Sequence, residues 1–152
     1  MASKFWSGLW EIIKFGVIVL VIVMPIRLYI AQPFIVSGDS MIPTFNSGDY
    51  LIIDEFTYNF IREPEKGEVV VFRYPLDHSK FFIKRIIGLP GEELIIDDQK
   101  WKMGENEYFV VGDNVNFSLD SRVWGPLSKE DLTGRALLRL WPPTALAYMP
   151  GK

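Results

Sequence analysis

The chain has 152 residues, enough for one compact domain of about 100–150 residues and little else. Sixteen basic residues against nineteen acidic ones give a net charge of −3, which argues against a nucleic-acid binder. Cysteine is absent and His78 is the single histidine, so disulfide scaffolds, thiol nucleophiles and Cys-based metal sites are excluded, and any histidine-dependent chemistry would have to use that one residue.

Residues 1–36 carry Lys4, Lys14 and Arg27 against Glu11 alone, whereas the remaining 116 residues hold 13 basic and 18 acidic groups. Phe15 to Ile26 is an uncharged run, and apolar character extends back to Trp10, Ile12 and Ile13 and forward through Leu28, Tyr29 and Ile30. A helix that crosses a bilayer needs about 20 mostly apolar residues, a length reached here if Lys14 and Arg27 lie near the ends and snorkel. Trp6, Trp10 and Tyr29 sit where interfacial aromatics belong. LYIAQP supplies no A-x-A-like site for removal of a signal peptide, which favours a retained anchor. The basic residues before the run place the N-terminus in the cytoplasm and residues 37–152 outside it. The expected division is therefore a cytoplasmic N-terminus and transmembrane helix over 1–36, then an extracytoplasmic domain over 37–152.

From there the pattern is one of short β-rich runs: Phe34–Val36, Tyr50–Ile53, Val69–Tyr74, Phe81–Ile87, Leu94–Ile96 and Tyr108–Val111. Turn residues separate them, at Ser47-Gly48-Asp49, Glu65-Lys66-Gly67, Leu89-Pro90-Gly91 and Gly112-Asp113-Asn114. This predicts a mainly β domain, a compact antiparallel sheet or barrel. Only Ser128–Leu132 reads as a helical turn, with Ser128 as its N-cap.

Three segments hold residues that a plain β domain does not need. Ser37-Gly38-Asp39-Ser40-Met41-Ile42-Pro43-Thr44 confines a serine to a tight turn that can present its hydroxyl and aim N–H groups at a developing oxyanion; by itself it also reads as an ordinary polar turn. In Lys80–Gly88, Lys84 shares its strand face with Phe82 and Ile86. An ammonium held between two apolar groups is desolvated, its pKa falls, and the neutral amine is a general base; the alternative is a lysine whose head reaches water. Arg85 faces the other way and stays charged, so it is no base. In the third segment, Ser118-Leu119-Asp120-Ser121-Arg122, Asp120 and Arg122 share a face if extended and form an ion pair, in isolation a structural one. His78 lies in a polar loop, Tyr74–Ser79, with no role expected. If Ser40 is a nucleophile, lysine is the main candidate for its base.

Placed in this order after an anchor, the segments resemble type I signal peptidases, the membrane-bound serine–lysine peptidases that release secreted proteins. Ser37–Thr44 is similar to the family's S-G-x-S-M-x-P-T box. Lys66–Pro75 with Lys84–Glu92 (KRIIGLPGE) is similar to its lysine box, and Gly112–Arg122 (GDNVNFSLDSR) to its G-D-N-x-x-x-S-x-D-S-R box. The resemblance implies that Ser40 is the nucleophile and Lys84 its general base. It implies that Ser118 orients the Lys84 amine, that Asp120 and Arg122 support that geometry, and that Met41 shapes the groove and positions the pair. It implies substrates with small residues at P1 and P3, secretory preproteins as partners beside the lipid bilayer, and no cofactor or metal. Phe34, Ile35, Val36, Phe82 and Ile83 are expected to line the pockets. The roughly twenty residues between the lysine box and Gly112 leave no room for a large inserted domain, as in the compact Gram-positive form.

Two departures stand out. Some members carry a serine two residues before the nucleophile that assists the oxyanion hole, and Gly38 occupies that position here. The third box reads Val115-Asn116-Phe117 where relatives often have Arg-Asp-Asn. Two other readings compete: a self-cleaving serine–lysine protein of the LexA type, and an inactive membrane-tethered β module that binds extended peptides.

Overall fold

The computed structural model describes residues 2–25 and 31–151. Ala2–Pro25 forms α1, a 24-residue helix that exposes Trp10, Ile12, Ile13, Phe15 and every residue from Val17 to Met24. Among the described residues no helix is long and apolar enough to cross a membrane, so the expected transmembrane helix has no counterpart among them. Residues 26–30, which the apolar run needs to reach its length, lie outside the described residues.

The rest is mainly antiparallel β-structure, as the alternating runs predict, but short helical turns also form at Thr57–Ile61, Val115–Phe117, Ser121–Trp124 and Pro143–Ala145 besides the expected one at Lys129–Asp131, which Ser128 caps. The strands are β1 (Ala31–Ile35), β2 (Tyr50–Asp54), β3 (Val69–Tyr74), β4 (Asp77–Gly88), β5 (Glu93–Ile96), β6 (Gln99–Lys102), β7 (Glu107–Val111), β8 (Leu127–Ser128), β9 (Leu132–Trp141) and β10 (Ala147–Tyr148). The main sheet runs β1-β2-β9-β3-β4-β7-β8 with β10 beside β9, and β5 and β6 form a separate hairpin. β1 pairs with β2 from Ala31 opposite Asp54 to Ile35 opposite Tyr50. The sheet therefore begins inside the segment assigned to the anchor, because Phe34 packs against a buried cluster and backbone pairing extends to Ala31.

β3 explains the core. Its run Val69-Val70-Val71-Phe72 is buried on both faces, the pattern of a central strand covered on each side. Val69 and Val71 join Val36, Met41, Phe45, Leu51, Ile53 and Ala136 on one side. Val70 and Phe72 join Ile86, Tyr108, Val110 and Leu127 on the other. β4, next to β3, thus carries its functional positions between two solid clusters.

β9 was not foreseen. Leu132–Trp141 contains Ala136-Leu137-Leu138-Arg139-Leu140, good helix formers without strict alternation, yet it lies between β2 and β3. Its arginines are held by partners distant in sequence. Arg135 Nε donates to Asp54 Oδ2 at 2.9 Å, and Arg139 Nη1 to the Thr44 carbonyl at 2.8 Å. Asp54 also accepts from the backbone and hydroxyl of Thr57, while Glu68 accepts from Arg62, Tyr58 and the Glu65 N–H. Burial pushes the Glu68 carboxyl up, but these hydrogen bonds outweigh it and bring it down to about 2.

Candidate active site

The turn after β1 is tied down at both ends. Val36 N–H donates to the Asp49 carbonyl and Gly48 N–H to the Val36 carbonyl, each at 2.9 Å. Met41 and Phe45 are fully buried in the first cluster, and Phe45 N–H donates to the Met41 carbonyl at 2.9 Å. Met41 therefore fixes the turn from the core side and is absent from the groove lining. Gly38 has φ +88, a conformation that L side chains rarely adopt, and its N–H donates to Ser47 Oγ at 3.3 Å. Ser40 is left at the surface of this turn, half-buried.

Lys84 reaches it from β4. Its Nζ lies 2.7 Å from Ser40 Oγ and donates to the Ile83 carbonyl at 2.9 Å. The side chain is 4% exposed, and its Nζ is 5.4 Å from the centre of the Phe82 ring. Burial drives the amine down from its ordinary value of 10.5 to about 8, against the opposing pull of the Asp120 and Asp113 carboxylates. A neutral amine this close to a hydroxyl can accept its proton.

The third box lies against the turn. The backbone and side-chain N–H groups of Asn114 donate to the carbonyls of Ser40 and Asp39, both at 3.0 Å. Gly112 comes so near that a Cβ there would meet Ser118 Oγ at 2.3 Å and the Ser40 carbonyl oxygen at 2.4 Å. Asp120 is fully buried and forks onto Arg122, with Nε at 2.9 Å and Nη2 at 2.8 Å, and it also accepts from Gly112 N–H at 3.0 Å. The expected pair is present but not extended. Asp120 caps α2 (Ser121–Trp124), accepting from the Arg122 N–H, so the two meet around a helical turn. Ser118 differs from expectation: its buried Oγ makes no hydrogen bond to Lys84 and lies instead beside Asp120, whose carboxyl it helps to hold down.

Arg85 is the residue that sequence reasoning set aside. Nε and Nη2 donate to the two carboxylate oxygens of Asp113 at 2.8 and 2.7 Å. Nη1 donates to the carbonyls of Gly67, at 2.8 Å, and Gly151, and Nη2 also reaches Thr44 Oγ1 at 3.3 Å. Thr44 Oγ1 in turn donates to Asp113 Oδ2 at 2.5 Å. Burial raises the Asp113 carboxyl, but these donors more than reverse it and hold it below the ordinary carboxylate value. The one clue in the sequence was position: Arg85 follows Lys84 on a strand, so it points to the opposite face.

Ser40 and Lys84 open into a groove of about 470 Å³. Phe34, Ile35, Val36, Phe82 and Ile83 line it, as do Lys80, Phe117 and Leu119, which the sequence did not single out. Phe34 and Phe81, both in its lining, meet edge-on with ring centres 5.3 Å apart. His78 is elsewhere: it lies in β4 rather than a loop, with Nε2 3.4 Å from Asp131 Oδ1. Among the described residues no cluster of His, Asp or Glu could hold a metal ion.

The family model described as signal peptidase, peptidase S26, matches residues 9–104 and 93–141. Signal peptidase I of Leptolyngbya laminosa is 32% identical over 174 aligned residues, covering 94% of this chain and 85% of that protein. A Synechocystis sp. protein named "Probable signal peptidase I-1" is 32% identical, over 90% of this chain and 85% of its own length. Mitochondrial inner membrane protease subunit 1 of Schizosaccharomyces pombe is 33% identical, over 90% of each chain. With matches that run through all three boxes and nearly the whole length, this chain belongs to the signal peptidase family, peptidase S26.

Proposed function

We propose that this signal peptidase cleaves preproteins with Ser40 as nucleophile and Lys84 as general base. The observation that carries the reading is the 2.7 Å contact between Ser40 Oγ and a lysine amine that burial brings to about 8. Lys84 accepts the hydroxyl proton as Oγ attacks the carbonyl after P1. It returns that proton to the leaving amine, and water then hydrolyses the acyl-enzyme. Gly38 has no hydroxyl to offer, so backbone N–H groups, that of Ser40 among them, stabilise the oxyanion.

The substrate enters as a strand. Among the described residues β1 is a sheet edge paired only with β2, and β7 pairs with β4 only at Arg85, Ile86 and Gly88, which leaves residues 80–84 of β4 without a second strand neighbour there. Both free edges face the groove. An extended segment between them presents alternate side chains to apolar walls, which suits small residues at P1 and P3.

The apolar sequence from Trp10 through Ile30, which runs past the end of α1, serves as the membrane anchor. The apolar side chains of α1 described from Trp10 to Met24 are exposed, a pattern that fits lipid rather than water, and the sequence stays apolar through Ile26, Leu28, Tyr29 and Ile30. The N-terminus is then cytoplasmic and the β domain lies outside, among secretory preproteins with small-x-small sites. The test is multiple-turnover cleavage of a preprotein by the full chain in detergent. Turnover by wild type and none by Ser40→Ala supports the reading. Cleavage of its own chain alone favours the self-cleaving alternative, and binding without cleavage favours the peptide-binding module.

A further inference from the structure

Arg85 carries five N–H donors in a rigid planar fork, and all five are engaged. Their acceptors come from four stretches of chain: Thr44 after the Ser40 turn, Gly67 before β3, Asp113 in the third box, and Gly151 after β10. Three of the four belong to the boxes read from the sequence. The fourth does not, and nothing in the serine–lysine chemistry calls for it.

The tail that brings Gly151 there is fixed rather than draped. Met149 N–H donates to the Leu137 carbonyl of β9 at 2.7 Å. Gly151 has φ +89, and a Cβ on it would meet Thr44 Cγ2 at 2.9 Å, Val69 Cγ2 at 3.0 Å and Arg85 Nη2 at 3.1 Å. The backbone there packs directly on the threonine and arginine that orient Asp113.

We propose that Met149–Gly151 is a positioning element of the active site, in which the Gly151 carbonyl holds Arg85 against Asp113 and thereby fixes the Ser40 turn through Thr44 beside Lys84. This role presupposes the Ser40–Lys84 pair proposed above. Without the Gly151 carbonyl, one Nη1 donor loses its acceptor and the guanidinium can turn away from Asp113. Two consequences follow. The Ser40 turn loses the Thr44–Asp113 tie, and the Asp113 carboxylate faces Lys84 without its full counter-charge. The groups facing Lys84 are Asp113 with Arg85, Asp120 with Arg122, and the Phe82 ring. The tail acts on the first of these pairs and leaves the second unchanged.

The experiment compares wild type, Gly151→Val and a chain ending at Tyr148, each full length at its N-terminus in detergent, on a soluble peptide with a small-x-small site. The expected result is a fall in kcat of about tenfold with KM little changed, and an acid limb of kcat/KM moved up by about half a pH unit. A purely structural role would lower the amount of folded enzyme without moving the limb. Wild-type kcat and limb in the shortened chain overturn the proposal. So does unfolding of both variants by circular dichroism, because the tail is then part of the fold and not of the site. Failure of the Ser40–Lys84 reading is separate, since it appears as turnover by Ser40→Ala.

Discussion

The main-chain N–H of Asn114 donates to the Ser40 carbonyl at 3.0 Å, so the third box is fastened to the backbone of the serine turn rather than to its hydroxyl. The orientation of Ser40 toward Lys84 therefore depends on residues that touch neither reacting atom.

Gly112 is the most sensitive of these. A methyl group there collides with the Ser40 carbonyl oxygen and with Ser118, so either the turn or the Ser118 loop must shift. Because a displacement of about 1 Å can cost a hundredfold in rate, Gly112→Ala is expected to lose about two orders of magnitude in kcat while staying folded. Wild-type kcat on a peptide substrate would show that the Ser40 turn is not held at this point.

Ser40→Ala is expected to abolish cleavage with no change in circular dichroism, since one hydroxyl in a surface turn adds little to stability. Residual turnover at a substantial fraction of wild type would remove Ser40 from the mechanism.

The pH dependence follows from Lys84. Burial brings its amine down to about 8, and with the neutral form as the proposed base kcat/KM is expected to rise with pH along an acid limb near 8. Lys84→Arg is expected to be inactive, because guanidinium stays protonated. Stability runs in the same direction. Between about 8 and 10.5 the unfolded chain binds the additional proton, so Lys84 costs most stability below pH 8 and its cost disappears above 10.5. Lys84→Met should thus be more stable than wild type below pH 8, by about 3 kcal/mol, and equal to it above 10.5. A lysine that titrates near 10 by NMR would defeat both expectations.

The buried network around Arg135 sets a different pH limit. Arg135→Met leaves Asp54 and Glu68 buried with fewer partners and is expected to destabilise the domain by about 3 kcal/mol in urea titrations, with kcat of the folded enzyme unchanged. Glu68, lowered to about 2, contributes stability that is present above about 4.5 and lost as pH falls through 2. An acid transition centred at the same pH in Glu68→Gln would show that another group controls it.

Strand-like docking predicts uneven sensitivity along the substrate. A large or charged residue at P1 should suppress processing far more than the same change at P2, because alternate side chains face the groove. Equal sensitivity in a peptide series would contradict that geometry.

Much of the site was legible because it is local. Lys84 between Phe82 and Ile86 follows from strand alternation alone, and the Ser37–Thr44 turn follows from its glycine and proline. What the sequence hid were long-range partners. Arg85 looked like a fixed cation pointing away, and only the folded chain shows its five acceptors on four distant segments. β9 was missed for a related reason: its leucines and alanine favour helix locally, and it becomes a strand because Asp49, Asp54 and Glu68 are waiting for its arginines. Ser118 was assigned to Lys84 by resemblance, whereas its Oγ packs close to Gly112 and beside Asp120.

The free edge of β1 carries a risk that its composition offsets. Unpaired sheet edges invite a second copy to add strands and to polymerise, and the proposed substrate path needs this edge open. Pro33, in the middle of β1, has no N–H, and proline is a residue that edge strands carry against such pairing. A short peptide lying against Ile35–Gly38 bypasses Pro33, but a whole strand of a neighbouring molecule cannot. The enzyme can thus keep a vacant strand position without being drawn into fibrils.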